Sequence, residues 1–267
     1  METLKRIGLI VHGGRADAPA YARRAVEALQ SAGARVWAER DAAAKLSLPA
    51  LEEIQSVDAL VSLGGDGTLL RAVQQAVRLQ APLMGINLGR VGFLTETEPE
   101  RLEEAAQALV AGRYTLEERS LLHAQRERTG EGYLALNDVV VSRGGYARLI
   151  NLDAWCGQEL VGHYVADGLV VATPTGSTGY SLSAGGPIIH PSVDCMVITP
   201  ICAHSLQHRP VVVPGEERIR LTLVTEEETA VVLQVDGQTR CMLQGGETIL
   251  IHKAEETVRL IRLSPRR

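Results

Sequence analysis

The chain has 267 residues, enough for one large domain or two modest ones. An apolar fraction of 45% and a charged fraction of 22% are ordinary for a globular protein, and a net charge of −5 without long like-charge blocks argues against a nucleic-acid partner. No apolar run reaches the ~18 residues of a membrane span and the N-terminus has no signal-peptide anatomy, so a cytoplasmic protein with no membrane partner is expected.

The first elements alternate. Lys5 to Val11 reads as a short buried strand, followed by the loop His12-Gly13-Gly14-Arg15. A helix near Tyr21 to Ser31 places Ala22, Val26 and Leu29 on one face, and Gly33 is a helix stop. Ala34 to Ala38 and Ala59 to Leu63 read as strands. Leu69, Leu70, Val73 and Val77 then recur at helical spacing. Leu83 to Ile86 is a further strand, and Pro99 to Val110 a helix with Leu102, Ala106 and Leu109 inward. Strands alternating with helices imply a parallel sheet covered on both faces, with ligands at the carboxyl ends of its strands.

One such end is Gly64-Gly65-Asp66-Gly67-Thr68. Glycines let the backbone approach a ligand, and free N–H groups at a helix start attract anions. Gly64, Gly65, Gly67 and Thr68 are therefore candidates for holding a donor's phosphates. Asp66 is the candidate to orient an attacking hydroxyl and take its proton, as phosphoryl transfer requires. No Gly-Lys-Ser/Thr follows, so this is not a Walker A loop, nor is it the G-x-G-x-x-G fingerprint. A tight turn with a capping Asp would leave the same pattern.

After about residue 113 the helical period fades. Strand-length runs follow at Leu134 to Val141, Leu149 to Trp155, Leu169 to Ala172, Ile219 to Val224, Ala230 to Val235, Thr248 to His252 and Thr257 to Leu263. Turn signals separate them at Asp236-Gly237, Gly245-Gly246 and Glu226-Glu227-Glu228. The fold expected is α/β plus all-β: a Rossmann-like domain over 1–115 and a β-sandwich-like domain over 116–267, with a ligand between them. With only 3% aromatics, Leu, Val, Ile and Ala must build the cores. Four cysteines without metal or disulfide spacing read as free thiols, and seven scattered histidines suggest no metal.

Two polar clusters interrupt the β half. Asn137-Asp138 lies inside an apolar run, so it must find partners, face a ligand or mark a bulge. Asp167 through Pro187 is dense in hydroxyls and glycines, which suit ribose, purine and phosphate edges or simply a strand, turn and short helix.

Together these clusters resemble the NAD kinase family. The matching segments are Gly64 to Thr68, Asn87-Leu88-Gly89-Arg90-Val91-Gly92-Phe93-Leu94, Asn137-Asp138, and Asp167 to Pro187, covering most of residues 58 to 252. The first loop is shared with diacylglycerol, sphingosine and phosphofructokinase relatives, whereas the Thr173 to Pro187 segment is highly specific. The resemblance implies transfer of a terminal phosphate, from ATP or polyphosphate with Mg²⁺, to the 2′-hydroxyl of the adenosine ribose of NAD. It implies Asp66 as the catalytic carboxylate. NAD contacts would come from Asp66, Gly67, Arg71, Phe93, Asn137, Asp138, Arg148, Asp167, Thr178, Gly179, Tyr180, Ser181, Leu182, Ser183 and Gln238. Phe93 would line the adenine end, and Asp167 would read the nicotinamide side. It also implies a homodimer or homotetramer.

Three departures stand out. Asp138 replaces the commoner Glu, Val165 stands where many members carry a basic residue, and the chain ends at Arg262-Leu263-Ser264-Pro265-Arg266-Arg267 without the usual final helix. Its C-terminal segment is still expected to approach the first domain. A lipid or sugar kinase using the same loop explains Asp66 but not Asp167 to Pro187, and a dinucleotide sensor that has lost catalysis is the non-enzyme alternative.

Overall fold

The computed structural model describes residues 4–89, 92–145, 149–205, 208–224 and 230–263. The chain divides into two compact units, Met1–Glu118 with Val258–Arg267, and Arg119–Thr257.

The first unit contains β1 (Arg6–Val11), α1 (Ala18–Ser31), β2 (Arg35–Ala38), α2 (Arg40–Leu46), β3 (Ala59–Gly64), α3 (Asp66–Arg78), β4 (Leu83–Asn87) and α4 (Leu102–Val110), and leads into β5 (Thr115–Arg126). The strand order is β2-β1-β3-β4, and every pair is parallel. The strands are nearly continuous in Ile, Leu, Val and Ala because both faces are covered. On one face Ala22, Leu29, Leu102 and Leu109 from α1 and α4 pack against Ile7, Leu9, Val61 and Ile86. On the other, Leu69 of α3 lies so close to Gly85 that a Cβ there would stand 2.7 Å from its side chain. Helix α1 starts at Ala18 rather than Tyr21, since Pro19 is tolerated in a first turn. It stops at Gly33, whose φ is +99°: Gly33 N–H donates to Gln30 and Ala34 N–H to Leu29.

The second unit contains β6 (Gly132–Ala135), β7 (Asp138–Arg143), β8 (Ile150–Cys156), β9 (Glu159–Ala166), β10 (Gly168–Ala172), α5 (Tyr180–Ser183), β11 (Cys195–Ile201), β12 (Val211–Pro214), β13 (Arg218–Leu223), β14 (Val231–Val235), β15 (Gln238–Leu243) and most of β16 (Thr248–Arg262). One sheet runs β12-β11-β10-β7-β14-β15 and is antiparallel throughout. The other joins β9, β8, β13 and β16, with β5 beside β16 and β6 beside β5. Val139, Val141, Leu169 and Val171 of one sheet share a core with Ile219, Leu221, Ile249 and Ile251 of the other, as in a sandwich.

The end of β16 belongs to the first unit. Leu260 pairs in parallel with Leu83 of β4, and Ile261 joins that unit's core. The buried Arg262 guanidinium donates to Glu117 at 2.7 Å, to the Leu94 carbonyl at 3.0 Å and to Glu96 at 3.3 Å. Among the described residues no helix is long and apolar enough to cross a membrane.

Several elements differ from the sequence expectation. The run Leu134 to Val141 is two strands, because the chain leaves one sheet at Ala135 and enters the other at Asp138. The expected strands Thr248 to His252 and Thr257 to Leu263 are one: Ala254 is buried while Lys253, Glu255 and Glu256 face outward, so the charges do not break it. Strands β5, β9, β11, β12 and β15 and helix α2 were not anticipated. Strand β11 carries Pro200, which argues against a strand from sequence. The expected Glu226–Glu228 turn lies outside the described residues.

Candidate active site

In the first unit, the turn between β3 and α3 explains each of its glycines. A Cβ on Gly64 would lie 2.0 Å from Thr68 Oγ1, so only glycine fits there. Gly65 and Gly67 have no atom within 4 Å of a built Cβ and border open space. Helix α3 starts at Asp66 and offers unpaired N–H groups with the positive end of its dipole. Asp66 points toward the segment after β4. Its Oδ2 accepts from Phe93 N–H at 3.0 Å, and its Oδ1 from Leu94 and Thr95 N–H at 3.3 Å each. Gly92 is pressed against this carboxylate, since a Cβ there would lie 2.2 Å from Oδ1. Thr95 Oγ1 braces the segment by accepting from Gly92 N–H and Asn87 Nδ2, both at 3.2 Å.

Arg71, on the same helix, pairs with Glu39 and donates to the Val11 carbonyl at 2.8 Å. It lines a cavity of about 230 Å³ together with His12, Gly13, Gly65, Gly67 and Thr68. A neighbouring cavity of about 370 Å³ shares His12, Gly13 and Arg71 and adds Arg15, Arg40 and Lys45 to its walls. Glu39, Asp41 and Glu52 line the same cavity, so its charges are mixed, and Arg71 is already paired with Glu39. The Phe93 ring is exposed, and its backbone N–H reaches Asp66. Arg148, and Arg90 and Val91 of the resembling segment, lie outside the described residues.

In the second unit, Asn137 and Asp138 sit where the chain changes sheets. Asp236, in the turn between β14 and β15, accepts N–H bonds from Leu136 at 2.9 Å, Asn137 at 2.7 Å and Asp138 at 3.2 Å. Asp236 has φ +50° and Gly237 φ +73°, a turn conformation that Asp and Gly tolerate. Burial pushes the Asp236 carboxyl up despite these three donors. Asp138 is 5% exposed. Burial first, and the charge of Asp236 second, push its carboxyl up to about 7. The buried Asn137 Oδ1 has no hydrogen-bond partner. A buried acceptor without a partner beside a carboxyl that holds its proton near neutrality marks a place for a polar ligand.

The segment from Thr173 to Gly186 folds onto this pair. Thr173 Oγ1 donates to the Leu136 carbonyl at 2.6 Å and accepts from Gly176 N–H at 3.0 Å. Ser177 Oγ donates to the Pro174 carbonyl, and Ser181 shares a 2.8 Å hydrogen bond with Thr199. Gly176 fits because a Cβ there would lie 2.0 Å from the Asn137 carbonyl. A Cβ on Gly179 would be 3.8 Å from both Asn137 Nδ2 and Asp138 Oδ2. The buried hydroxyls thus build the loop, while Tyr180, Leu182 and Ser183 face outward, and Thr178 and Gly179 are half-buried.

Asp167 lies apart from this cluster. Asp167 precedes β10, whereas Asp138 pairs with Ala172 at its other end, about 17 Å away along the strand. Asp167 is held by Arg143 at 2.7 Å. Gln238 is exposed across the turn from Val235. Sequence reasoning missed the role of Asp236, the Arg143 pair and Arg119, which is fully buried and donates to Thr175 Oγ1 at 3.3 Å. The Asp236-Gly237 dipeptide was a visible signal, but only for a turn. Among the described residues no three His, Cys, Asp or Glu side chains gather to hold a metal.

Residues 7–114 match the model of the ATP-NAD kinase N-terminal domain, and residues 136–263 that of the ATP-NAD kinase C-terminal domain. An NAD kinase of Moorella thermoacetica is 42% identical over 266 residues, covering 97% of this chain and 85% of that protein. One from Heliobacterium modesticaldum is 46% identical over 218 residues, covering 80% and 77%. The crystal structure of yeast NADH kinase complexed with NADH superposes with a TM-score of 0.84 at 26% identity, covering 99% of this chain and 85% of that one. That of an Archaeoglobus fulgidus NAD kinase in complex with ATP gives 0.74 at 30% identity, covering 96% and 92%. With both domain models matched and relatives this similar over nearly its whole length, the chain belongs to the NAD kinase family.

Proposed function

We propose that this enzyme transfers the terminal phosphate of ATP to the 2′-hydroxyl of the adenosine ribose of NAD, giving NADP. The observation that carries the reading is the Asp66 carboxylate, fixed by three backbone amides at a helix start whose glycines border open space. Gly64, Gly65, Gly67 and Thr68 hold the donor phosphates with their backbone, the adjoining cavity gives room for the rest of the donor, and the similar Archaeoglobus fulgidus enzyme in complex with ATP supports ATP as that donor. Arg71 contributes charge there. Asn137 and Asp138, with Thr178 to Ser183, bind the adenosine, and Phe93, Arg148, Asp167 and Gln238 complete the dinucleotide contacts. The position of Asp167 at the far end of β10 suits a ligand as long as a dinucleotide.

Asp66 holds the 2′-hydroxyl in line with the terminal phosphorus, and orientation is much of its contribution. The ribose oxygen bonds to phosphorus as the bond to the ADP oxygen breaks, and the hydroxyl proton passes to Asp66 and then to solvent. A divalent ion fits this loop as a guest of the donor's phosphates, because the Asp66 oxygens already accept three N–H bonds and, among the described residues, no group of three His, Cys, Asp or Glu side chains gathers to hold it. Bound with the phosphates, Mg²⁺ would neutralise charge on the group in transfer.

The test is a matrix of donors and acceptors with the purified protein and Mg²⁺. ATP or polyphosphate is offered with NAD, NADH or diacylglycerol. NADP formation from NAD and ATP is expected. NAD binding without product would make the protein a sensor, and phosphorylated diacylglycerol would make it a lipid kinase.

A further inference from the structure

We propose that His123 and His252 form a binding site for a borderline transition-metal ion such as Zn²⁺ or Ni²⁺. His123 lies on β5 and His252 on β16, which are paired strands. His123 Nδ1 and His252 Nε2 stand 3.3 Å apart, with ring centroids 5.1 Å apart and planes tilted by 46°. Two imidazole nitrogens on one tetrahedral zinc, each at ~2.05 Å, are also about 3.3 Å apart. The rings therefore already have the separation that a shared ion demands. Both residues are partly exposed, so an ion has access.

The surroundings prepare the nitrogens. His252 Nδ1 lies 2.8 Å from the Lys253 carbonyl, which only accepts, so the ring proton is on Nδ1 and Nε2 offers its lone pair. A carbonyl on the far nitrogen is the usual outer partner of a metal-bound histidine. The His123 ring is seated against Gly132, where a Cβ would lie 2.6 Å from its Nε2. Without metal, His123 Nδ1–H donates to His252 Nε2. On binding, two coordinate bonds form and the His123 proton moves through water from Nδ1 to Nε2, so no proton is released and nothing is oxidised. Among the described residues no third side chain completes the group, so water fills the remaining positions. Imidazole nitrogens select Zn²⁺, Ni²⁺ or Co²⁺ over Mg²⁺, which separates this site from the metal carried by the donor.

The test uses the full chain titrated calorimetrically with Ni²⁺ and with Zn²⁺. One ion per chain is expected for the parent and for H163Q, a control whose histidine pairs with Asp153 at 2.6 Å instead. Either H123Q or H252Q should abolish that binding, and Ni²⁺ should raise the Tm of the parent but of neither variant. Should the variants fail to fold, Co²⁺ added to the unaltered chain should shift the imidazole proton resonances of two histidines alone. Absence of saturable binding by the parent, binding that survives both substitutions, or cobalt shifts on other histidines would each overturn the proposal.

Discussion

Asp66 in the first unit and Asp236 in the second each accept hydrogen bonds from three consecutive backbone amides, Phe93 to Thr95 and Leu136 to Asp138. Their settings differ. Asp66 borders the open side of a glycine turn, whereas the carboxyl of Asp236 is buried and lies near a second carboxyl, that of Asp138. The same device in the open holds a carboxylate beside free space, where the proposed reaction would use it. Buried, it is spent on shaping a loop, and its charge helps Asp138 keep a proton.

Substitutions can break this comparison, beginning with the largest effect. Asp66→Asn should lower turnover roughly 10³-fold, the scale of a positioned acid or base, with little change in NAD affinity. NADP formation and calorimetry read the two quantities, and near-normal turnover would remove Asp66 from the chemistry. Asp236→Ala should do the reverse, costing about 3 kcal/mol of stability because buried N–H groups lose their acceptor. Urea melts measure it, and a loss below about 0.5 kcal/mol would make that capping dispensable.

Asp138→Asn addresses the buried side through pH. A carboxyl raised to about 7 in the folded state, against an ordinary value near 3.8, binds a proton over a window in which the unfolded chain has lost it. Its stabilisation is full below about pH 4 and is lost as pH rises through 7. Between pH 5 and 8 the parent should therefore lose about 1–3 kcal/mol relative to the variant. Parallel stability profiles from urea melts would place the proton elsewhere. The smallest effect on folding belongs to Gly67→Ala, where a Cβ meets nothing. Stability should stay within about 0.5 kcal/mol while KM for ATP rises, and an unchanged KM would take that open side away from the donor.

The sequence showed what is local. Periodicity placed Ala22, Val26 and Leu29 inward, Gly33 ended α1, and the glycines around Asp66 marked a strand-to-helix turn. It did not show partners distant along the chain. Asp236 looked like half of a turn because the amides it accepts from lie about 100 positions earlier. Asn137-Asp138 looked like an interruption of one strand because nothing local says that Ala135 and Asp138 join different sheets. The hydroxyls of Thr173 to Ser183 suggested ligand contacts, yet Thr173, Ser177 and Ser181 bond within the protein. A side-chain oxygen serves loop and ligand equally well, and only burial distinguishes them.

The return of β16 to the first unit has a consequence for synthesis. Leu260 covers the flank of β4, and Arg262 reaches back 166 positions to Glu96. Emerging from the ribosome, the first unit has its parallel strands and helices early but lacks the strand that pairs beside β4 until the segment from Val258 follows the whole second unit. Contacts so distant form slowly, and an unpaired strand edge invites foreign pairing. The first unit is therefore completed only after the second has been translated, and through that interval its β4 flank is the place for a chaperone to shield.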